Sequence, residues 1–83
     1  MTGSPIVELN RAVAVAEVDG PEAALAIVDA LSLDDYQYLH STRADLLRRL
    51  GRTDEARAAY AQALLLASAD PERRFLQRRI DEL

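Results

Sequence analysis

The chain repeats itself with a period of about 33 residues, the length of a two-helix repeat unit, and that leaves few architectures open. Residues 42–50 read TRADLLRRL and residues 10–18 read NRAVAVAEV. Arg43 stands over Arg11, Ala44 over Ala12, Leu47 over Val15 and Leu50 over Val18, all at one common offset. Further on, Glu55-Ala56 stands over Glu22-Ala23, Tyr60 over Ile27 and Ala63-Leu64 over Ala30-Leu31, at an offset longer by a single position. The extra residue is assigned to the turn, where Gly51-Arg52-Thr53-Asp54 faces the shorter Asp19-Gly20-Pro21. A helical unit of this length cannot bury its apolar face alone and must stack on its neighbours. Stacked units expose extended surfaces, so such proteins mostly bind rather than catalyse.

The fold class read from this pattern is all-α: about five antiparallel helices, two helical hairpins plus a C-terminal capping helix. Ser4-Pro5 opens the first helix, with Ser4 as N-cap and Pro5 at the first helical position. It runs to about Val18. Asp19-Gly20-Pro21-Glu22 breaks it and starts the second, which ends near Leu31. Asp34 with Gln37 three residues later predicts a capping box for the third helix, ending at Leu50 and stopped by Gly51. Thr53 is the expected cap of the fourth, to about Ala67, and Asp70-Pro71-Glu72 starts the fifth, which runs to the end of the chain. No segment alternates apolar and polar residues at period two, which argues against a sheet.

The helices differ in polarity. The fourth is expected to bury Ala56, Ala59, Tyr60, Ala63 and Leu64, with Tyr60 filling the space the alanines leave. The fifth carries Leu76, Ile80 and Leu83 on one side and Arg73, Arg74 and Arg78 on the other, the pattern of a terminal cap. The first is apolar all round: Ile6, Val7, Leu9, Val13, Val15 and Val18 point in nearly all directions. Such a helix is normally covered on both faces, so it is expected to lie between neighbours. Two units and a cap also fall short of the three repeats usually needed for stability. Both arguments predict that the chain by itself self-associates through its first helix, as a two-fold dimer or by exchanging helices.

Length and charge narrow the function. The 83 residues make one small domain, residues 1–83, which buries only about 60% of its unfolded surface. There is no cysteine, so no thiolate nucleophile and no usual zinc site. No apolar run reaches the ~20 residues that span a bilayer. Met1-Thr2-Gly3-Ser4-Pro5 lacks the charged and apolar regions of a signal peptide. These features lead to the expectation of a cytoplasmic protein that meets no membrane. All ten basic residues are arginine, and the net charge is −4. Residues 1–36 hold seven acids and Arg11 alone, whereas residues 37–83 hold nine arginines and seven acids. The acidic half argues against direct nucleic-acid binding, which needs a basic footprint, and is compatible with docking on a basic protein surface.

Ala44, Leu47 and Leu50, then Gly51, Ala56, Tyr60, Ala63 and Leu64, resemble the tetratricopeptide repeat. That pattern places a small residue in helix A, a glycine at the turn, and Ala, an aromatic and Ala in helix B. Ala12, Val15, Ala23, Ile27 and Ala30 fit it in the first unit. The chain departs from it at His40 and Glu8, where tryptophan is usual, and in Pro71, a helix-breaking proline that arrives late. A narrower resemblance covers Ser4 to Leu83. SPIVELNRAVAVAEVDGPEAAL, YLHSTRADLLRRLGRTDEARAAYAQAL and ERRFLQRRIDEL look like the C-terminal extension of bacterial extracytoplasmic-function RNA polymerase sigma factors. This resemblance implies that the chain is a fragment, preceded by promoter-reading domains and by a helical segment. It implies a non-catalytic regulatory domain that modulates transcription initiation by contacts to the sigma core domains, RNA polymerase or a regulatory protein. The alternative is a generic tetratricopeptide scaffold that binds a peptide and has no link to transcription.

In tetratricopeptide proteins the A helices line a concave binding face. By resemblance, that face is Leu9, Asn10, Val13 and Glu17 in the first unit and Tyr38, Ser41, Asp45, Arg48 and Arg49 in the second. Catalysis has little support. His40 is the only histidine, Ser4, Ser32, Ser41 and Ser68 lie outside any nucleophile elbow, and Asp34-Asp35 reads as a helix cap. Gly20 and Gly51 stand singly in turns and cradle no phosphate. No catalytic residue, cofactor or metal ligand is therefore expected. The basic clusters Arg48-Arg49 and Arg73, Arg74, Arg78, Arg79 are read as solvated faces or ion pairs. Acids interleave with the second cluster, and no aromatic stacking platform is assigned to it.

Overall fold

Ser4 sets the start of the chain's first helix: its Oγ accepts the Val7 N–H at 3.2 Å. A computed structural model describes residues 4–83; Met1, Thr2 and Gly3, part of the stretch read for a leader, lie outside the described residues. Five helices follow in order: α1 (Pro5–Asp19), α2 (Pro21–Asp29), α3 (Gln37–Arg49), α4 (Thr53–Leu66) and α5 (Asp70–Glu82). The described residues include no strand. Each helix packs on the next, most extensively α3 on α4 and α1 on α2, which gives the two hairpins and the terminal helix. The thinnest dimension, 17 Å, suits two helix layers about 10 Å apart.

Local chemistry explains the boundaries and corrects several expected ones. Gly20 alone separates α1 from α2; it adopts φ +96°, closed to most side chains, and Pro21 starts α2 at once. The α3–α4 turn is a Schellman motif. Gly51 takes φ +76°, its N–H reaches the Arg48 carbonyl at 3.0 Å, and the Arg52 N–H reaches the Leu47 carbonyl at 2.9 Å. Thr53 does not cap α4. It is the first helical residue, Arg52 occupies the N-cap without a side-chain hydrogen bond, and its guanidinium reaches forward to Glu55 at 2.6 and 2.8 Å.

The Asp34–Gln37 capping box does not form either. α3 starts later, after Tyr36, with no side-chain cap. Leu33 and Tyr36 are drawn onto the core, which leaves Asp34 and Asp35 exposed at a turn tip. α2 also stops short of Leu31, at Asp29. Its end tightens, with Ala30 N–H to the Ile27 carbonyl at 3.2 Å and Leu31 N–H to the Val28 carbonyl at 3.1 Å.

The true register is the same for both helices of the unit: α1 and α3 start at Pro5 and Gln37, α2 and α4 at Pro21 and Thr53, and both pairs share the shorter offset. Ala24 and Val28, both buried, thus match buried Ala56 and Tyr60, while Ala23 is exposed and Ile27 half-buried. The longer offset expected for the second helix of each unit fails because α1 extends into the turn as far as Asp19; no residue is missing there. The core combines Ala12, Ala44, Ala56, Ala59 and Ala63 with Tyr60, Leu47, Leu76 and Val28. Alanines bring the helices close, and each large side chain removed from water contributes about 1.5–3 kcal/mol.

The register also explains α1. At the shorter offset Val7 and Ala14 correspond to Leu39 and Leu46. The two leucines are buried on α3, the helix that packs on α2. Among the described residues nothing packs on the corresponding face of α1, and Val7 is half exposed and Val18 is 83% exposed. The expectation of a helix covered on both sides is thus met on one side only: Val15 packs on the core, and the outward face is open within this chain.

Candidate protein-binding groove

Three helices, α1, α3 and α5, turn side chains into one groove. At one end Val13, Ser41, Thr42, Asp45, Phe75 and Arg79 surround a depression of about 220 Å³ floored by Tyr60. Next to it lies a more apolar one of about 250 Å³, where Tyr38, Ser41, Pro71, Glu72 and Phe75 meet above Leu76. Ser41 and Phe75 belong to both. A third depression continues along α5 past Pro71, Arg74, Phe75 and Arg78. Phe75 is therefore the centre of the groove, half exposed at 48%. The two depressions over Tyr60 and Leu76 are each smaller than the ~300–1,000 Å³ of a small-molecule pocket. Together the three form a trough suited to side chains of another polypeptide.

Polar contacts hold the walls. The Tyr38 hydroxyl donates to Glu72 Oε1 at 2.9 Å and ties α3 to α5. That hydrogen bond, and then the carboxylate's charge, hold the phenol above its ordinary value. Tyr36 meets Tyr38 edge to face, with ring centroids 5.5 Å apart. Asp45 accepts from Arg48 at 2.5 Å and pairs with Arg49 at 3.1 Å. Arg48 is raised above its ordinary value chiefly by Asp45 and next by the Tyr60 hydroxyl. The Arg79 guanidinium sits 5.2 Å from the Phe75 ring centroid and pairs with Glu82 at 3.6 Å.

Of the residues read from the sequence as a concave face, Val13, Tyr38, Ser41 and Asp45 come together in this groove. Leu9 does not: it is buried in the core, because it lies on the side of α1 that carries Ala12 and Ala16. Asn10 and Glu17 are exposed on α1 and do not line the depressions described. Arg48 and Arg49 are engaged with Asp45. Thr42, Glu72, Phe75 and Arg79 do not follow from the sequence reading, which treats α5 as a cap facing water. The repeat itself carries the signal: one more period, at the longer of the two offsets, places Phe75 over Thr42 and Arg78 over Asp45. Phe75 also supplies an aromatic ring among the arginines where the sequence reading assigns none, although Arg79 lies over it.

Among the described residues no group of three or more His, Asp and Glu side chains converges. His40 is half-buried and its Nε2 lies 2.7 Å from the Asp34 carbonyl oxygen. The carbonyl accepts only if Nε2 carries the hydrogen, so this histidine fastens the α2–α3 connection. No helix of the described residues is long and apolar enough to cross a membrane.

The sequence profile of the tetratricopeptide repeat-like domain matches residues 4–83. The chain belongs to this family. Tetratricopeptide repeat-like domains are generally non-catalytic scaffolds for protein–protein interaction, and a trough lined by alternate helices is the surface such a scaffold offers. An uncharacterized protein of Rhizobium meliloti (strain 1021) is 48% identical to the domain in an alignment of 82 residues that covers 96% of this chain. The chain spans only 19% of that relative's length. No solved structure matches the chain.

Proposed function

We propose that this tetratricopeptide repeat-like domain grips a segment of another polypeptide in the groove centred on Phe75. One observation carries this reading: alternate helices bring Val13, Tyr38 and Phe75, each about half exposed, to the same trough. Exposed aromatic and apolar side chains grouped in a depression are the usual anchors of protein interfaces. In its finer form, the domain is the regulatory C-terminal part of an extracytoplasmic-function sigma factor. There it docks on the sigma core domains, RNA polymerase or a regulatory protein and sets promoter activity. The motif blocks from Ser4 to Leu83 support that form. So does the 19% share of the relative, which suits one domain of a longer polypeptide. Deleting the domain from its full-length protein should change transcription from the cognate promoter, and unchanged output removes the regulatory role. A pull-down separates the two forms, because a general peptide scaffold retains neither polymerase nor sigma fragments.

The open face of α1 belongs to the same proposal. Leu39 and Leu46, the equivalents of Val7 and Ala14, are buried on α3, and Leu50, the equivalent of Val18, is half-buried after it, so the 83-residue chain alone is expected to self-associate through Val7, Ala14 and Val18. Sedimentation velocity across a concentration series tests this. Val18→Glu should shift the profile toward monomer, and a wild-type chain that stays monomeric at high concentration refutes it.

A further inference from the structure

We infer that the groove selects an acidic segment, one that presents a large apolar side chain to Phe75 and carboxylates to Arg74 and Arg78. The inference rests on the groove being a binding surface and adds the charge and polarity of its occupant. It runs against the net charge of −4, which by itself points to a basic partner.

Seven of the ten arginines are paired with carboxylates: Arg11, Arg43, Arg48, Arg49, Arg52, Arg57 and Arg79. Arg73 is not among them, but it caps α4 by donating to the Leu64 and Ala67 carbonyls, both at 3.0 Å. Among the described residues this leaves Arg74 and Arg78 with no acidic partner. Both are exposed, one turn apart on α5, and with Pro71 and Phe75 they line one depression. Of the acids beside the groove, Asp45 is held by Arg48 and Arg49, and Glu82 pairs with Arg79. Glu72 keeps its charge while accepting from the Tyr38 hydroxyl, and Asp70 shares a separate depression with Arg73 and Arg74. The depression that Arg74 and Arg78 line with Pro71 and Phe75 holds no carboxylate, so the charge there is positive. The uncommitted acids of the first hairpin, Glu17, Asp19 and Glu22, lie on α1, at its end and on α2. Glu17 stands one turn beyond Val13.

This separation gives the occupant a direction. Its apolar anchor sits against Phe75, where Tyr38 and Val13 approach from α3 and α1. Its carboxylates lie toward Arg74 and Arg78, because Glu17 repels them at the α1 side. Rim charges of this kind set specificity and association rate more than raw affinity.

The test uses the 83-residue chain and three dodecapeptides carrying the same fluorescein label and amidated at the C-terminus, so that they differ only in side-chain charge. All three share one Trp and two Leu in the same positions; the remaining residues are Glu and Asp, Lys, or Ser and Gln. Fluorescence anisotropy should show the acidic peptide binding at least about tenfold more tightly than the lysine peptide in low salt, with the margin narrowing as salt is raised. Each exposed ion pair is worth up to about fivefold. Arg74→Glu with Arg78→Glu should therefore weaken the acidic peptide by about tenfold or more and strengthen the lysine peptide. Phe75→Ala should weaken both. Circular dichroism of each variant shows that the helices persist, and Arg57→Glu, on α4 and outside the groove, controls for net charge. Equal, Phe75-dependent binding of all three peptides overturns the charge inference and leaves the groove intact. Preference for the lysine peptide has the same result. No binding of any peptide at millimolar concentration overturns both. A labelled single strand of twelve nucleotides that outcompetes the acidic peptide overturns the polypeptide assignment, since a phosphate chain would then be the better fit to Arg74 and Arg78.

Discussion

Tyr60 is both the largest fully buried side chain, at 2% exposure, and the floor of the groove. Its removal measures how far the alanine-lined core depends on one ring. Ala56, Ala59 and Ala63 flank it on α4, each buried, and Ala44 is buried on α3, the helix packed against α4. Methyl groups on fixed backbones cannot move into the void that Tyr60→Ala leaves. Large-aromatic-to-alanine changes cost about 3–5 kcal/mol, and the poor capacity for collapse places this one in the upper half. A domain of this size holds about 4–12 kcal/mol in total, so the variant should be close to unfolded at room temperature. Tyr60→Phe keeps the ring and removes only the hydroxyl beside Arg48, whose Nε is already buried without a partner. Among the described residues that hydroxyl has no hydrogen bond to lose, so the change should stay within about 0.5 kcal/mol. Urea unfolding followed by far-ultraviolet circular dichroism, with a common slope for all variants, gives both values. A Tyr60→Ala loss below about 1.5 kcal/mol would show that the helices close over the cavity and would refute the packing argument.

Three further substitutions test separate parts of the fold. Arg73→Met removes both hydrogen bonds that cap α4 and should cost about 1 kcal/mol, whereas Arg74→Met, with no partner to lose, should stay within about 0.5 kcal/mol; equal urea midpoints would dismiss the cap. Gly51→Ala meets nothing within 4 Å, so its cost is torsional alone, about 1–2 kcal/mol at φ +76°, and a neutral result would deny the strained turn. Glu55 lies below its ordinary value of 4.5 because of Arg52, first through their hydrogen bond and then through charge. A depressed folded value adds stability above the unfolded value and loses it as pH falls through the folded one. The wild-type urea midpoint should therefore fall more steeply than that of Glu55→Gln as pH drops below 4.5, and parallel curves would show that the pair contributes nothing.

Helix number, type and order were legible because the apolar spacing, Ser4, Gly51 and the three prolines each act locally. The caps at Asp34 and Thr53 were not. In both cases a tertiary interaction overrode a local preference: Leu33 and Tyr36 dock on the core and delay α3, and the Schellman turn at Gly51 pulls Arg52 into the cap position. The tetratricopeptide resemblance, not a local signal, pointed to Val13, Tyr38, Ser41 and Asp45, but Leu9 was misplaced because the apolar faces of α1 cannot be ranked without knowing which one meets α2. Phe75 escaped because Leu76, Ile80 and Leu83 already made a complete apolar stripe, so a neighbour about 100° round the helix read as ordinary surface.

The same small residues that build the core also create the groove. With alanine at the contact positions, α3 and α4 approach closely and little room remains inside for large side chains. Val13, Tyr38 and Phe75 consequently stand at the rim of the core, where they remain half exposed. An occupant of the groove buries them and completes what the core leaves open, so binding energy and folding stability come from adjoining surfaces. A ligand present at a hundred times its Kd adds about 2.7 kcal/mol to the folded state, a large fraction of what so small a domain holds. Its partner is therefore best recognised by the rise in Tm that it causes, and that rise should vanish in Phe75→Ala while the basal Tm barely moves, because Phe75 contributes to the rim and Leu76 to the core.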